Sequence, residues 1–225
     1  MREQFLSIAS HELKTPLTSL LGNLQVLGRR AMREEGWNER NLQALRVIEN
    51  QTQRLNKLVG IILDLSRIEN GQLSIERRPL DLDALVQRVV AEIQPTLEGQ
   101  TVDLQPPNEV LIVSGDELRL EQVIQNLLGN AAKYNPSGGV IRVQLRRNTT
   151  MAWLAVTDHG MGIPEAALPN LFQRFYRAPN VDNQKISGIG IGLYVVKEIV
   201  TLHGGEVHVT STEGQGSTFT IGLPL

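Results

Sequence analysis

Along the N-terminal third of the chain apolar residues return every three or four positions, and beyond it that period gives way to alternating stretches mixed with shorter helical ones. Leu6, Leu13, Leu17, Leu20, Leu24 and Leu27 form a single stripe, the spacing of a helix that buries one face, and predict helix from about residue 3 to about residue 30. Gly36, Trp37 and Asn38 interrupt the period and predict the turn of a hairpin. A second stripe, Leu42, Leu45, Ile48, Thr52, Leu55, Val59, Ile62, Leu65 and Ile68, ends at Asn70-Gly71, a common helix stop. Leu58, Ile61 and Leu63 lie beside it, more apolar surface than one partner helix covers. Two hairpins closing a dimeric four-helix bundle would cover it, so a homodimer is expected. The alternative is that these residues pack on a second domain.

After Gly71 the period changes, which sets the expected domains at 1–70 and 71–225. Gln72 to Glu76 alternate like an edge strand closed by Pro79. Helices are predicted at about 81–97, from an N-cap at Asp116 to Tyr134, and from Ile191 to Leu202 before Gly204-Gly205. Strands are predicted at 101–105, 109–113, 139–147, 151–157, 206–211 and 217–223, with Arg146-Arg147-Asn148 as a hairpin turn. Strands mixed with three helices predict a two-layer α/β sandwich, so the fold class is α + α/β.

Composition narrows the setting. With 225 residues, 41% of them hydrophobic, the chain is long enough to bury a core in one or two domains. A net charge of −2 gives no long-range pull towards nucleic acid or anionic lipid, and neither is expected as a partner. The absence of cysteine excludes disulfides and thiolate metal sites and suits a cytoplasmic location. No apolar run reaches the ~18 residues of a spanning helix. The first stripe is already running at Phe5 without a capping residue, so a further N-terminal part is expected, and any membrane link would lie there.

At roughly 100° per residue, His11 sits about 150° from the centre of the first stripe, so its imidazole is expected in water. Thr15, one turn on, shares that outer face. A lone surface histidine is ordinarily only a solvated polar group. Here Glu12 sets a carboxylate beside the ring, able to hold one ring nitrogen protonated and raise the basicity of the other. Pro16 deletes a backbone hydrogen bond and crowds the carbonyl of residue 12, at a cost of about 3 kcal/mol in a helix interior. The backbone is thereby loosened where another molecule would approach.

The run from Ser10 to Leu17, SHELKTPL, resembles the H-box of the sensor histidine kinases of two-component systems. The resemblance implies that His11 is the phosphoacceptor and Glu12 its acid/base partner. It implies that Thr15 positions water for dephosphorylating a response regulator.

Further motifs follow. Asn126, Asn130 and Lys133, four and three residues apart, fall on one helical face; two amides and an ammonium would be costly in a core and suit a polyphosphate with Mg²⁺. The run NLLGNAAKY from Asn126 to Tyr134 resembles the N-box of the same kinases, which implies that Asn130 ligates Mg²⁺, Lys133 reaches phosphate and Tyr134 packs near the nucleotide. Asp158 ends a strand before Gly160 and Gly162, where a carboxylate can accept from an exocyclic amine and bare glycine backbone allows close approach. This stretch is similar to the G1 box, with His159 in a place more often filled by a small polar residue and expected to face solvent. Leu171 to Arg177, LFQRFYR, resembles the F-box, which implies that Arg177 reaches the terminal phosphates. Residues 178–187 lack an apolar period, as a lid would.

Gly188, Gly190 and Gly192 with Leu193 precede the last helix, and such glycines before a helix start form an anion cradle. The stretch resembles the G2 box; it is neither a Walker A motif nor a dinucleotide fingerprint. Gly214 and Gly216 resemble the family's final glycine pair, read as a structural turn.

The resemblance, spanning nearly the whole chain, implies a Bergerat-type ATP-binding domain after the phosphotransfer hairpin, with ATP and Mg²⁺. The ATP-binding set is then Asn126, Asn130, Lys133, Tyr134, Asp158, Gly160, Gly162, Arg177, Gly188, Gly190, Gly192 and Leu193, with Asn130 the metal ligand. It implies autophosphorylation, transfer to the receiver domain of a response regulator, and phosphatase activity as a second use of the H-box. An ATP-hydrolysing machine of related fold places a glutamate one turn before the metal-binding asparagine, where this chain has Asn126, which cannot act as a general base. A non-catalytic scaffold that only senses nucleotide is the other alternative.

Overall fold

The computed structural model describes residues 13, 16–27, 39–97, 99–107, 109–182, 186 and 188–225. The chain divides into two compact units, Met1–Gln72 and Leu73–Leu225. His11, Glu12, Thr15 and the turn expected at Gly36 to Asn38 lie outside the described residues.

In the first unit, residues 16–27 are helical (α1), and a second helix runs Glu39–Glu69 (α2). Leu17, Leu21 and Leu24 of α1 and Leu42, Leu45, Val59 and Leu63 of α2 are exposed, while Ala44, Leu58 and Leu65 are buried. Gly71, at φ +65°, stops α2: its N–H bonds the Ile68 carbonyl and the Gln72 N–H bonds the Arg67 carbonyl. These are the two bonds of a Schellman cap, which needs a residue free to turn left-handed.

The second unit builds its core from three helices on one face of a five-stranded sheet. Strand β1 is Arg78–Asp81, followed by α3 (Leu82–Ile93), β2 (Gln100–Gln105), β3 (Ile112–Gly115), α4 (Glu117–Lys133), β4 (Gly139–Arg147), β5 (Met151–Asp158), α5 (Gly192–Leu202), β6 (Glu206–Thr212) and β7 (Gly216–Pro224). Short 3₁₀ turns follow α3 at Gln94–Thr96 and β5 at Glu165–Asn170. The sheet order is β2-β4-β5-β7-β6, with β2 parallel to β4 and the other neighbours antiparallel. Val86, Val89, Ile124, Leu127, Leu128, Val196 and Ile199 bury the helical stripes, and Ile141, Val143, Leu154, Val156 and Ile221 bury the facing strand positions. Asp81 and Asp116 cap α3 and α4 by accepting the backbone N–H groups of Asp83 and Ala84, and of Arg119.

Three local expectations change. Residues 72–77 form no strand; the pairing strand is Arg78–Asp81, which contains Pro79 and pairs with β3 in a separate two-stranded sheet. Proline fits there because this strand has a single neighbour and its missing N–H breaks no ladder on the other side. The strand expected at 109–113 lies at Ile112–Gly115, set by that pairing. The β4–β5 turn falls after Arg147, where the Asn148 side chain accepts the N–H groups of Thr150 and Met151.

Candidate functional site

Helix α4 divides its surface sharply. Leu120, Val123, Ile124, Leu127, Leu128 and Ala131 are buried, so Asn126, Asn130 and Lys133 share the remaining, half-buried side. The Asn126 Nδ2 donates to the Gln122 carbonyl at 2.8 Å, and its Oδ1 faces the start of α5: a Cβ added at Gly192 would lie 2.9 Å from that oxygen. The Asn130 side-chain amide hydrogen-bonds no other described residue. Lys133 places Nζ 4.9 Å from the centroid of the Tyr134 ring, within cation–π range, and a Cβ at Gly188 would meet it at 2.7 Å.

Two glycine-rich turns close on this helix end. The Tyr134 carbonyl accepts the Met161 N–H at 3.1 Å, and a Cβ at Gly160 would come within 2.1 Å of that same oxygen. Gly162 takes φ +62° against the Thr212 carbonyl. Gly188 and Gly190 have φ of +146° and +76°, and the Gly190 carbonyl accepts the N–H of Phe175, a non-glycine residue with positive φ. Such backbone is costly away from glycine and persists where surrounding contacts enforce it.

Asp158 ends β5 and is buried, with the Gly160 N–H donating to its Oδ1 at 2.9 Å. Burial pushes its carboxyl above the ordinary range of about 4, opposed by the N–H groups of Gly160 and Ser217. Burial likewise raises the Tyr134 phenol, opposed by the positive charge of Arg177. Arg177 donates from Nη1 to the Gly188 carbonyl at 3.1 Å and from Nη2 to the Ile186 carbonyl, which fastens its guanidinium to the backbone before α5. His159 is exposed, as expected.

The structure therefore gathers Asn126, Lys133 and Tyr134 with Gly160, Arg177, Gly188 and Gly192 through direct contacts, and Asp158 joins them through Gly160. Gly162 and Gly190 shape the turns, and Leu193 lies in the first turn of α5. The second glycine pair proves to be more than a turn. A Cβ at Gly216 would sit 2.1 Å from the Asp158 carbonyl oxygen, and Ser217 pairs with Asp158 across the sheet. The buried Ser217 hydroxyl bonds Ser211 at 2.9 Å. Serine in an alternating strand carries no local mark, so this partner of Asp158 emerges only from strand register. An open hollow of about 240 Å³ beside Asp158 is lined by Thr157, Ser211, Ser217 and Thr218 among residues of β5–β7 and their turns.

Against known proteins, residues 1–71 match the family model of the His Kinase A (phospho-acceptor) domain. Residues 115–225 match that of the histidine kinase-, DNA gyrase B- and HSP90-like ATPases. The chain belongs to the sensor histidine kinases. It is 36% identical over 225 residues to the circadian input-output histidine kinase CikA of Synechococcus elongatus, covering 98% of this chain and 30% of CikA. The solved structure of the Acinetobacter baumannii histidine kinase AdeS superposes with a TM-score of 0.70 at 26% identity, over 95% of this chain and 97% of that one. Full-length ShkA, solved in complex with AMPPNP, shares the fold with a TM-score of 0.69 at 24% identity, over 99% of this chain and 45% of ShkA. This histidine kinase chain thus spans about a third of CikA's length, and among its described residues no helix is long and apolar enough to cross a membrane.

Proposed function

We propose that this chain is the catalytic core of a two-component sensor kinase, in which residues 1–70 dimerise and carry the phosphoacceptor and residues 71–225 bind ATP. The carrying observation is the buried Asp158 at the end of β5, held against α4 by glycine turns too tight for a Cβ. A withdrawn carboxylate acceptor beside bare backbone suits the amine edge of adenine. Lys133, Arg177 and the start of α5 suit the phosphates, and AMPPNP in ShkA agrees with that ligand class. The Asn130 amide, free of other described partners and on the polar side of α4, fits a place in an oxygen-rich Mg²⁺ shell completed by phosphate oxygens. A Mg²⁺ ion held there would supply neutralisation of phosphate charge.

A ring nitrogen of His11 attacks the γ-phosphorus in line, forming N–P as the bond to the bridging oxygen breaks and ADP departs. Glu12 holds the proton on the other ring nitrogen. The phosphoryl group then passes to an aspartate of a response regulator, and Thr15 serves the reverse role of positioning water for dephosphorylation. The exposed leucines of α1 and α2 supply the surface on which a second copy completes a four-helix bundle. The location is cytoplasmic.

The test is incubation with γ-labelled ATP and Mg²⁺. Acid-labile, alkali-stable label on the wild type, lost in His11→Gln and in Asn130→Ala, is the expected result. Label that survives His11→Gln would remove His11 as acceptor, and nucleotide binding without any label would favour a sensing scaffold.

A further inference from the structure

The first residues of the α/β unit, the segment that continues from the helical unit, are fastened to the ends of α4 and α5. The Glu76 N–H donates to Asp116 Oδ2 at 2.9 Å, and Arg77 Nη2 donates to the Leu202 carbonyl at 2.5 Å. Between these two bonds stands His203, 2% exposed, at the C-cap of α5. Its Nε2 accepts the Asp116 N–H at 2.9 Å, which leaves the ring proton on Nδ1, donated to the Ile199 carbonyl at 2.8 Å. One imidazole thus joins the N-cap of α4 to the last turn of α5, and the connecting segment grips both.

The same two helices meet again where Gly192, at the start of α5, admits the Asn126 side chain from the middle of α4. Asn126 lies about ten residues along α4 from Asp116, and Gly192 about eleven along α5 from His203, so both span roughly 15 Å between the contacts. They are antiparallel neighbours pinned at two points, one at His203 and the other at Asn126, midway along α4 in the candidate nucleotide site. Helices transmit displacement as rigid elements, so a shift of one pin moves the other.

We propose that His203 is a positioning residue coupling the connecting segment at Glu76 and Arg77 to nucleotide binding through α4 and α5. The proposal rests on the nucleotide reading of the site. Coupling free energy is reciprocal: nucleotide must tighten the pin by the factor by which the pin tightens nucleotide. Replacing a merely structural histidine would lower stability equally with and without nucleotide.

The experiment titrates the whole chain with AMPPNP and Mg²⁺ and follows amide exchange at Glu76 and Asp116. The variants are Arg77→Ala, His203→Leu and His203→Gln, the last keeping an acceptor towards Asp116. The expected result is slower exchange at both amides on binding to the wild type, with AMPPNP affinity lowered about fivefold or more in Arg77→Ala and His203→Leu and largely restored in His203→Gln. Arg77 is exposed, so its variant tests the coupling even if His203→Leu does not fold. Unchanged affinity in Arg77→Ala together with nucleotide-independent exchange overturns the proposal alone. A wild type that does not bind AMPPNP overturns the nucleotide reading and the coupling with it.

Discussion

The two units bury their apolar residues differently. In the α/β unit, side chains such as Leu128, Leu154 and Val196 are wholly inaccessible, and sheet and helices close on each other. In the helical unit, leucines of the stripes stay open, Leu17 at 48% and Leu42 at 42% exposure, and so do Leu21 and Leu63 beside them at 50% and 52%. Amphipathic period alone therefore does not tell a finished core from half of one. A sheet offers a helix a broad apolar floor within the same chain, whereas α1 and α2 leave apolar surface open, the surface that the proposed dimer would cover.

The largest expected effect separates the units by concentration. Leu154→Ala should cost the α/β unit about 2–5 kcal/mol through lost contacts and a cavity. Its melting should shift equally at low and high protein concentration. A concentration-dependent shift would break the contrast, because it would tie this core to assembly.

Next, Leu21→Glu should leave the α/β transition in place and weaken self-association, since covering a leucine is worth about 1.5–3 kcal/mol and ten times in affinity corresponds to about 1.4. Sedimentation over a dilution series measures it. An oligomeric state identical to wild type would show that the open leucine face of α1 is not the seam.

A smaller effect probes the site within the closed core. Burial holds the Asp158 pKa above its usual 3.8, so its charged form costs stability that is absent at acid pH and develops as the pH rises through the raised value. Asp158→Asn should bind nucleotide poorly at neutral pH yet melt no lower than wild type. A variant that both binds and melts normally would remove Asp158 from the site.

The smallest effect concerns His203, whose pKa is lowered by burial from the usual 6.5. Its neutral form is the one the fold uses, so stability is full above pH 6.5 and lost as the pH falls from there through the lowered value. Arg77 opposes its protonation and Asp116 favours it. Denaturant midpoints between pH 7 and pH 5 should fall more steeply for wild type than for His203→Gln, and equal slopes would place the acid loss elsewhere.

How much of this is legible in the sequence varies with the reach of each interaction. Asp116 and Gly71 are legible as helix start and stop because caps depend on residues within one turn, and both act as such. The spacing of Asn126, Asn130 and Lys133 suffices to put them on one side of α4, because helical geometry fixes which residues share a face. Residues 72–76 mislead because alternation marks a strand only when a partner is present, and the partner strand β3 pairs instead with Arg78–Asp81. The roles of Ser217 and His203 carry no signal at all, since one needs the β5–β7 register and the other a bond across 87 residues.

The sequence by itself determined the helices of the α/β unit, most of its sheet strands, the cap at Asp116, the stop at Gly71 and the order of motifs that tie the chain to its family. All are properties of neighbours along the backbone. The tertiary structure alone decided that β2 runs parallel beside β4, that Gly160 and Gly216 press backbone against Tyr134 and Asp158, and that Glu76, Arg77, Asp116 and His203 meet. Those contacts join residues far apart in the chain. They exist because burying one shared core brings distant segments within bonding distance, and no local pattern encodes that distance.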